Sequence, residues 1–518
     1  RAHRGRTLTE ASSLCHAPSS IDLARAVRTT MPQSSILLAV DALAGAAVLA
    51  CIALHVRRLK KRPKAVADLM DHEPLAGQDK WLGGVLGADG CVYGVPGHAK
   101  HVLKLDPVTA KVSLVGGPYK GKYKWLRGAT APDGCIYCIP CHADKVLRID
   151  CTTGESVCTE IGEPMPGEWK WHGGVLSPHD GCIYGIPQFA EAVLVINPAT
   201  QAVSTLGGPF PGASPTGKHK WYGGLLGGDG CIYGIPQCAT SVLKIDPKQQ
   251  QVSTLGALPG GGWKWHGGVT GPDGCIYGIP ANADTVLKID PMAQRVLTLP
   301  FRYTCHHRED GKYKYLGGVL GPDGRIYCIP SDADRVLRID PATHECVEIG
   351  ETLEGRVDLK CNKWQNGFLA RDGRIYGIPL KAESVLCIDV ASQTVYTVGG
   401  GLSGFEKWEG GVLAGDGAMY CIPLKAKHIL KIDPEGDGVA VQEEESAMPV
   451  TMWKRGAAPT AANAAAAGAA VVDMSRLVCL LCQRQFKSAE MLQRHVAFSR
   501  LHADNLAQQP TLPQQQPG

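Results

Sequence analysis

Two cysteines and two histidines near the end of the chain have the spacing of a metal site. Two residues separate Cys479 from Cys482, twelve separate Cys482 from His495, and six separate His495 from His502. Two thiolates and two imidazoles form the tetrahedral ligand set that suits Zn²⁺, an ion without redox chemistry. The sequence therefore predicts that these four residues bind one zinc ion.

Two hydrophobic residues lie between these ligands at the positions that a Cys2His2 zinc finger buries. Three residues separate Phe486 from Cys482, and two separate Leu492 from His495. A segment of about thirty residues has too small a core to fold alone, so the bound metal supplies its folding energy. We therefore predict a small ββα zinc finger over residues 476–506.

The region resembles the zinc finger of the RNA-binding-motif splicing regulators, which share the six-residue histidine spacing. The resemblance lies in residues 477–486, Leu492, His495 and residues 499–506. The resemblance covers about thirty residues. It implies that the cysteines and histidines are ligands, and that the finger contacts RNA or a splicing-related protein. Basic side chains are candidate contacts to phosphate, namely Arg484, Lys487, Arg494 and Arg500. RNA and protein remain alternative targets.

A phrase of the form Lys-Trp-x-Gly-Gly-Val-Leu-x-x-Asp-Gly-Cys-Ile-Tyr-Gly-Ile-Pro recurs through most of the chain. Its aromatic position falls at Trp81, Trp125, Trp171, Trp221, Trp265, Tyr315, Trp364 and Trp408. The eight copies are 44 to 50 residues apart, the length of a four-stranded propeller blade. Each copy contains four short apolar runs separated by turn residues. We therefore predict an all-β fold, a seven- or eight-bladed β-propeller over residues 80–442.

The repeats resemble those of Kelch propellers in unit length and in their paired glycines, such as Gly267 and Gly268. They differ from that family because the aromatic residue precedes the glycines. The resemblance implies a propeller and does not assign an exact family.

A lysine precedes the aromatic residue in all eight copies: Lys80, Lys124, Lys170, Lys220, Lys264, Lys314, Lys363 and Lys407. A closed ring would place these charges in a circle. Such a circle could bind a polyanion at the mouth of a channel. The alternative is that duplication has copied an ordinary solvent-facing lysine.

Other recurring residues have structural explanations. The Asp-Gly pair in each copy is typical of a tight hairpin turn. Cys135, Cys138 and Cys141 resemble a metal cluster, but residues three apart on a strand point to opposite faces. His172 and His266 have no histidine counterpart in the other copies. The cysteines recur at equivalent positions, as buried free thiols of a reducing compartment do.

The segments outside the repeats differ in composition. Residues 1–35 stay unassigned. Translated upstream sequence and a targeting segment are the two explanations for them. An alanine-rich helix or an organellar targeting segment is one explanation of the mostly apolar residues 36–56. The other is a single-pass membrane anchor, for which the segment is long enough. The basic linker 57–79 would then keep the rest on the cytosolic side. An alanine-rich linker spans 443–475, and a Gln- and Pro-rich tail, 507–518, is expected to be disordered.

These features predict a non-enzymatic binding or adaptor protein that is cytosolic-facing or nuclear and has protein partners on the propeller face. Membrane anchoring through residues 36–56 stays an open alternative. A formal net charge of +4 on 518 residues provides no global attraction to nucleic acid. The alternative is a propeller enzyme, such as a lactonase or hydrolase, with the finger as a docking module. Acidic or histidine side chains converging on the channel would favour the enzyme, whereas a lysine-lined channel would favour polyanion binding.

Overall fold

The computed structural model describes residues 66–305, 310–353 and 361–434, together with three short strands between residues 472 and 485. The chain divides into two compact units, residues 1–441 and 442–518. In these stretches every regular element is a β-strand. None of them forms a helix capable of crossing a bilayer, and the apolar segment 36–56 lies outside them.

The first unit contains eight antiparallel four-stranded sheets, which we call blades 1 to 8 in chain order. Blade 1 comprises Trp81–Leu86, Val92–Pro96, Val102–Asp106 and Lys111–Val115. Blade 2 comprises Trp125–Thr130, Cys135–Pro140, Val146–Asp150 and Val157–Ile161. Blade 3 comprises Trp171–Leu176, Ile183–Pro187, Val193–Asn197 and Ala202–Leu206. Blade 4 comprises Trp221–Leu226, Ile232–Pro236, Val242–Asp246 and Gln251–Leu255.

The remaining blades follow the same order. Blade 5 comprises Trp265–Thr270, Ile276–Pro280, Thr285–Asp290 and Arg295–Pro300. Blade 6 comprises Tyr315–Leu320, Ile326–Pro330, Val336–Ile339 and Cys346–Ile349. Blade 7 comprises Trp364–Leu369, Arg374–Pro379, Val385–Asp389 and Thr394–Val398. Blade 8 comprises Trp408–Leu413, Met419–Pro423, Leu430–Asp433 and Val66–Leu69.

The ring closes through blade 8, whose outermost strand comes from the beginning of the array. Val66 pairs with Asp433 and Leu69 pairs with Leu430 in an antiparallel register. The first strands of successive blades contact one another, and the first strand of blade 8 contacts that of blade 1. The fold is thus an eight-bladed propeller, which confirms the propeller prediction and decides between seven and eight blades. The closing strand falls within the segment 57–79 that the sequence analysis assigned to a linker.

Each hydrophobic core lies between two neighbouring blades. Tyr137 and Ile139 of blade 2, for example, pack with Trp171, Ile183 and Leu194 of blade 3. The residues of the second strands are almost fully buried because both faces of each sheet are covered. Each blade is therefore stabilised by its neighbours.

The Asp-Gly turn serves the same structural purpose in all eight blades. In blade 2, Asp133 accepts the backbone N–H of Cys135 at 3.1 Å and the hydroxyl of Tyr137 at 2.7 Å. The other blades form the equivalent tyrosine–aspartate bond. This confirms that the recurring aspartate holds the turn.

The eight lysines that precede the aromatic residues are buried, with exposures between 0% and 5%. The expectation that they face solvent was wrong. Lys124 shows their arrangement: its ammonium group donates to the carbonyl of Gly97 in blade 1 at 2.6 Å and to the carbonyl of Gly121 at 3.2 Å. A polyanion would have to compete with these carbonyl groups. The lysines instead link neighbouring blades.

Six more of these ammonium groups also bond to the preceding blade, those of Lys80, Lys170, Lys220, Lys264, Lys314 and Lys407. With Lys124, seven ammonium groups thus bond to the preceding blade. Lys314 donates to the Asp284 carboxylate, and the other six donate to backbone carbonyl groups. The circle expected from the sequence therefore exists, with its charges directed at the joints between blades.

We predict that Lys124→Met lowers the free energy of unfolding by about 1–3 kcal/mol, because the side chain no longer supplies a donor to buried carbonyl groups. Lys122→Met is the matched control, since Lys122 is exposed and surface changes are usually within about 0.5 kcal/mol. Urea unfolding of both variants measures the difference. Equal midpoints would show that the lysine bonds do not stabilise the ring.

Candidate functional site

The first strand of each blade, which we call the inner strand, has a bulge directly after its aromatic residue. In blade 3, the pairing with the second strand shifts register between Trp171 and Gly174, and the same shift occurs in the other blades. Such a bulge re-aims the side chains within it. The bulged residues line a central cavity of about 420 Å³.

Most of the cavity wall is glycine or leucine, but six polar side chains interrupt the repetition. They are Arg127, His172, Tyr222, His266, Asn366 and Glu409. Every blade contributes the same backbone to the wall, so only these substitutions make the cavity asymmetric. An active site needs an asymmetric set of this kind.

Arg127 and Asn366 occupy a backbone conformation that favours glycine. Their φ angles are +61° and +58°, and the equivalent residue in blades 1, 3, 4, 5 and 6 is glycine with φ between +68° and +105°. A larger residue in this conformation costs free energy and commonly marks a functional position. Asn366 also donates from Nδ2 to the backbone carbonyl of Glu409 at 2.8 Å.

The charge of Arg127 acts on several of the polar groups in the cavity. Its side chain runs along the cavity wall next to Gly83 and Gly173. A Cβ added to Gly83 would lie 3.4 Å from Cγ of Arg127, and a Cβ added to Gly173 would lie 3.5 Å from Cδ of Arg127. Among the ion pairs of residues 66–434 that the structure describes, none involves Arg127. The guanidinium opposes the rise that burial causes in the pKa of the Tyr222 hydroxyl, through its charge and through a hydrogen bond, and its charge also opposes the rise in the pKa of the Glu409 carboxyl. It therefore provides a positive charge within the cavity.

Three rings form a stack beside this charge. The ring centroids of His172 and Tyr222 are 3.7 Å apart, and those of Tyr222 and His266 are 4.1 Å apart. Burial lowers the pKa of His172 well below its usual value and lowers that of His266 to about 3, and Arg127 acts in the same direction. Both imidazoles are therefore neutral at pH 7 and able to donate and accept hydrogen bonds.

Glu409 is the carboxylate of the cavity. Burial raises the pKa of its carboxyl group, and Arg127 opposes that rise. A carboxyl group whose pKa lies closer to neutrality can take up and release a proton during a reaction. The cavity thus combines a carboxyl group with a raised pKa, a fixed cation and two neutral imidazoles.

The sequence analysis identified none of these groups as a site. His172 and His266 were set aside because they have no counterparts in other blades, although that asymmetry makes the cavity distinctive. The signal for Arg127 and Asn366 was present, since both replace a glycine of the repeated phrase. Cys135, Cys138 and Cys141 lie buried in or beside the second strand of blade 2, and within the described part of the chain no group of residues has a metal-binding arrangement.

The predicted zinc ligands lie in the second unit. Val472–Asp473, Val478–Cys479 and Arg484–Gln485 form a three-stranded antiparallel sheet in which Cys479 pairs with Arg484. Cys482, His495 and His502 lie outside the described residues, as do Lys487, Arg494 and Arg500. The zinc site and its basic contacts stay predictions.

The propeller is similar in architecture to several solved enzymes. Streptogramin B lyase is 14% identical, with a TM-score of 0.45 over 71% of this chain and 97% of that one. Virginiamycin B lyase from Staphylococcus aureus is 12% identical, with a TM-score of 0.45 over 71% and 99%. A candidate 6-phosphogluconolactonase from Bacteroides fragilis is 10% identical, with a TM-score of 0.44 over 66% and 96%. At these identities the likeness concerns the fold alone.

No protein family and no curated protein matches the sequence. The expectation of a non-enzymatic protein is nevertheless corrected. It assumed that nothing breaks the repetition, whereas Arg127, Glu409 and the two histidines do so in one cavity.

We predict that acid destabilises the protein through His172 and His266. Because the pKa values of both are lower in the folded state than the unfolded value of about 6.5, the unfolded state binds more protons as the pH falls. The stabilising effect is complete above pH ~6.5 and is lost as the pH falls towards the folded pKa values. The unfolding midpoint of the wild type should therefore fall between pH 7 and pH 4.

In the double variant His172→Gln/His266→Gln this fall should be smaller, as measured by thermal unfolding at a series of pH values. His179→Gln is the control because His179 is exposed on a turn. Identical pH profiles for the wild type and the double variant would contradict the assignment of acid sensitivity to the cavity.

Proposed function

We propose that the protein is an enzyme whose central cavity hydrolyses a small ester or lactone. The observation that carries this proposal is the convergence of Arg127, Glu409, His172 and His266 on one cavity whose remaining wall is largely glycine. A repeat protein that needed only a scaffold would have no reason to place strained and buried polar residues there.

The groups present match the needs of acyl transfer to water. Glu409 removes a proton from the attacking water and returns it to the leaving alkoxide. The guanidinium of Arg127 stabilises the negative charge that develops on the carbonyl oxygen. The neutral imidazoles of His172 and His266 orient the water and the substrate by hydrogen bonds. His172 and His266 are buried, at 6% and 8% exposed, and burial strengthens the interactions that they make.

Arg127→Gly tests this proposal because it restores the residue that most blades have at the position. We expect the unfolding midpoint to stay unchanged or to rise, since glycine relieves the strained backbone. Hydrolysis of aryl esters and simple δ-lactones, followed by pH-stat titration, should fall by about 100-fold or more, as it does when an oxyanion-stabilising group is removed. A variant that is less stable but fully active would overturn the role of Arg127.

Glu409→Gln is the second test, and it should remove most of the activity because the amide cannot exchange protons. Glu406→Gln is the matched control. Glu406 is a neighbouring carboxylate that is paired with Lys425 and does not line the cavity. Equal activity of the two variants would show that Glu409 is not the acid–base group.

For the second unit we propose a zinc site formed by Cys479, Cys482, His495 and His502. The supporting observation is the antiparallel pairing of Val478–Cys479 with Arg484–Gln485, because a hairpin of this kind precedes the helix in such fingers. Contacts from Arg484, Lys487, Arg494 and Arg500 to RNA phosphate are part of the same proposal.

Metal analysis of the purified full chain should find one zinc per molecule, and Cys482→Ser should lose it. Cys421→Ser is the control because Cys421 is buried in blade 8. RNA binding measured by electrophoretic mobility should weaken with the loss of zinc and with rising salt. If zinc is retained by Cys482→Ser, the proposed ligand set is wrong.

A further inference from the structure

One face of the propeller carries an uneven ring of side chains around the channel. The residue before each buried lysine has a positive φ, between +48° and +56°, in all eight blades. These residues directly precede the inner strands, so they lie at the same end of the channel. Tyr123 and Trp169 pack in one cluster with Leu82 and Leu126, which line the cavity. The ring therefore surrounds the cavity mouth.

Aromatic residues occupy this ring position in five consecutive blades, 2 to 6, and we call them the aromatic arc: Tyr123, Trp169, His219, Trp263 and Tyr313. The ring centroids of Tyr123 and Trp169 are 4.8 Å apart, and those of His219 and Trp263 are 5.6 Å apart. Blades 7, 8 and 1 have Asn362, Glu406 and Asp79 instead. The mouth thus has an aromatic side and a polar side.

Buried polar groups without partners lie on the same side as the aromatic arc. Gln188 and Gln237 are only 3% and 1% exposed. No hydrogen-bond partner is found for Oε1 of Gln188 or for either amide atom of Gln237 among the described residues. Nε2 of Gln188 lies 3.2 Å from Nδ1 of His219, a member of the arc.

The position of these glutamines places them between the arc and the cavity. Each follows the proline that ends the second strand of its blade, as Cys141 and Leu424 do in blades 2 and 8. Cys141 and Leu424 pack with the cavity-lining leucines. By the symmetry of the blades, Gln188 and Gln237 occupy the corresponding layer next to His172 and Tyr222.

A buried amide without a partner loses the hydrogen bonds that water would give it, and an unsatisfied group in a native protein calls for an explanation. The imidazole Nε2 atoms of His98 and His142, which contact the arc residues Tyr123 and Trp169, are also buried without a partner. Donors and acceptors therefore lie beside the aromatic faces on the surface around the arc.

We propose that this surface, which we call the arc subsite, binds a sugar ring, and that the substrate of the cavity is an acidic or lactone-bearing carbohydrate. The flat C–H face of a pyranose stacks on aromatic rings, while its hydroxyl groups need both donors and acceptors of the kind that amides and imidazoles supply. Arg127, below the arc, binds the carboxylate or lactone carbonyl of the same ligand. The second part of this inference, the identity of the cavity's substrate, rests on the proposed function.

Saturation-transfer NMR and calorimetric titration of the full chain with methyl glucoside and with glucuronate test the proposal. Both sugars should bind, and glucuronate should bind more tightly. Trp169→Asn should weaken both by about tenfold, the equivalent of one lost aromatic contact. Asparagine is chosen because Asn362 occupies the same turn position in blade 7 with φ +52°. Asn362→Gly is the control outside the arc and should bind both sugars normally.

Gln237→Leu separates binding from folding. Removing an unpartnered buried amide should leave the unfolding midpoint unchanged or raise it, whereas sugar binding should weaken. A merely structural glutamine would instead lower the midpoint and leave binding intact. Arg127→Gly should weaken glucuronate and spare methyl glucoside.

The outcomes distinguish this inference from the proposed function. If neither sugar binds while simple lactones are hydrolysed, the arc subsite is wrong and the catalytic proposal stands. If both sugars bind through Trp169 but no ester or lactone is hydrolysed, the subsite stands and the catalytic proposal is wrong. Binding that is insensitive to Trp169→Asn and Gln237→Leu would overturn the arc subsite.

Discussion

The structure depends on closing a ring of sheets, none of which can cover its own faces. Each blade has two apolar faces, and each hydrophobic core lies between neighbours, as Trp171 of blade 3 shows by packing on Tyr137 of blade 2. An open array would expose two terminal faces. The strand Val66–Leu69 prevents this, because it joins the start of the array to blade 8. Closure fixes the inner strands around one axis, and the channel is its consequence.

Closure of the ring also explains why the residues shared by all eight repeats are structural. The residues that differ between repeats are the functional candidates. Any residue repeated in every blade forms a complete circle, as the buried lysines do when they bridge to the preceding blade. A circle of identical groups offers no direction to a substrate. Only a residue that differs from its counterparts, such as Arg127, gives the channel an orientation.

Much of the fold was predictable from the sequence. The period, the Asp-Gly turns and the apolar runs each report local geometry, and they identified the blades. The number of blades was not predictable because the closing strand lacks the repeated phrase and pairs with residues more than 350 positions away. Burial of the lysines was missed for a related reason. From the sequence alone, a charged lysine before a tryptophan is expected to face solvent. Only the folded structure shows that carbonyl groups of the neighbouring blade accept hydrogen bonds from its ammonium group.

The cavity was missed because the repeats were compared for what they share. A positive-φ position occupied by glycine in most blades accepts Arg127 and Asn366 only at a cost in backbone strain. The half-buried Glu409 and the buried, unpartnered Gln237 add a cost in solvation. The Asp–Tyr turns, the interblade cores and the lysine bridges provide the stability that offsets these costs. A highly repetitive scaffold can therefore tolerate a few unfavourable residues, and their convergence on the channel marks it as the place that a ligand would occupy.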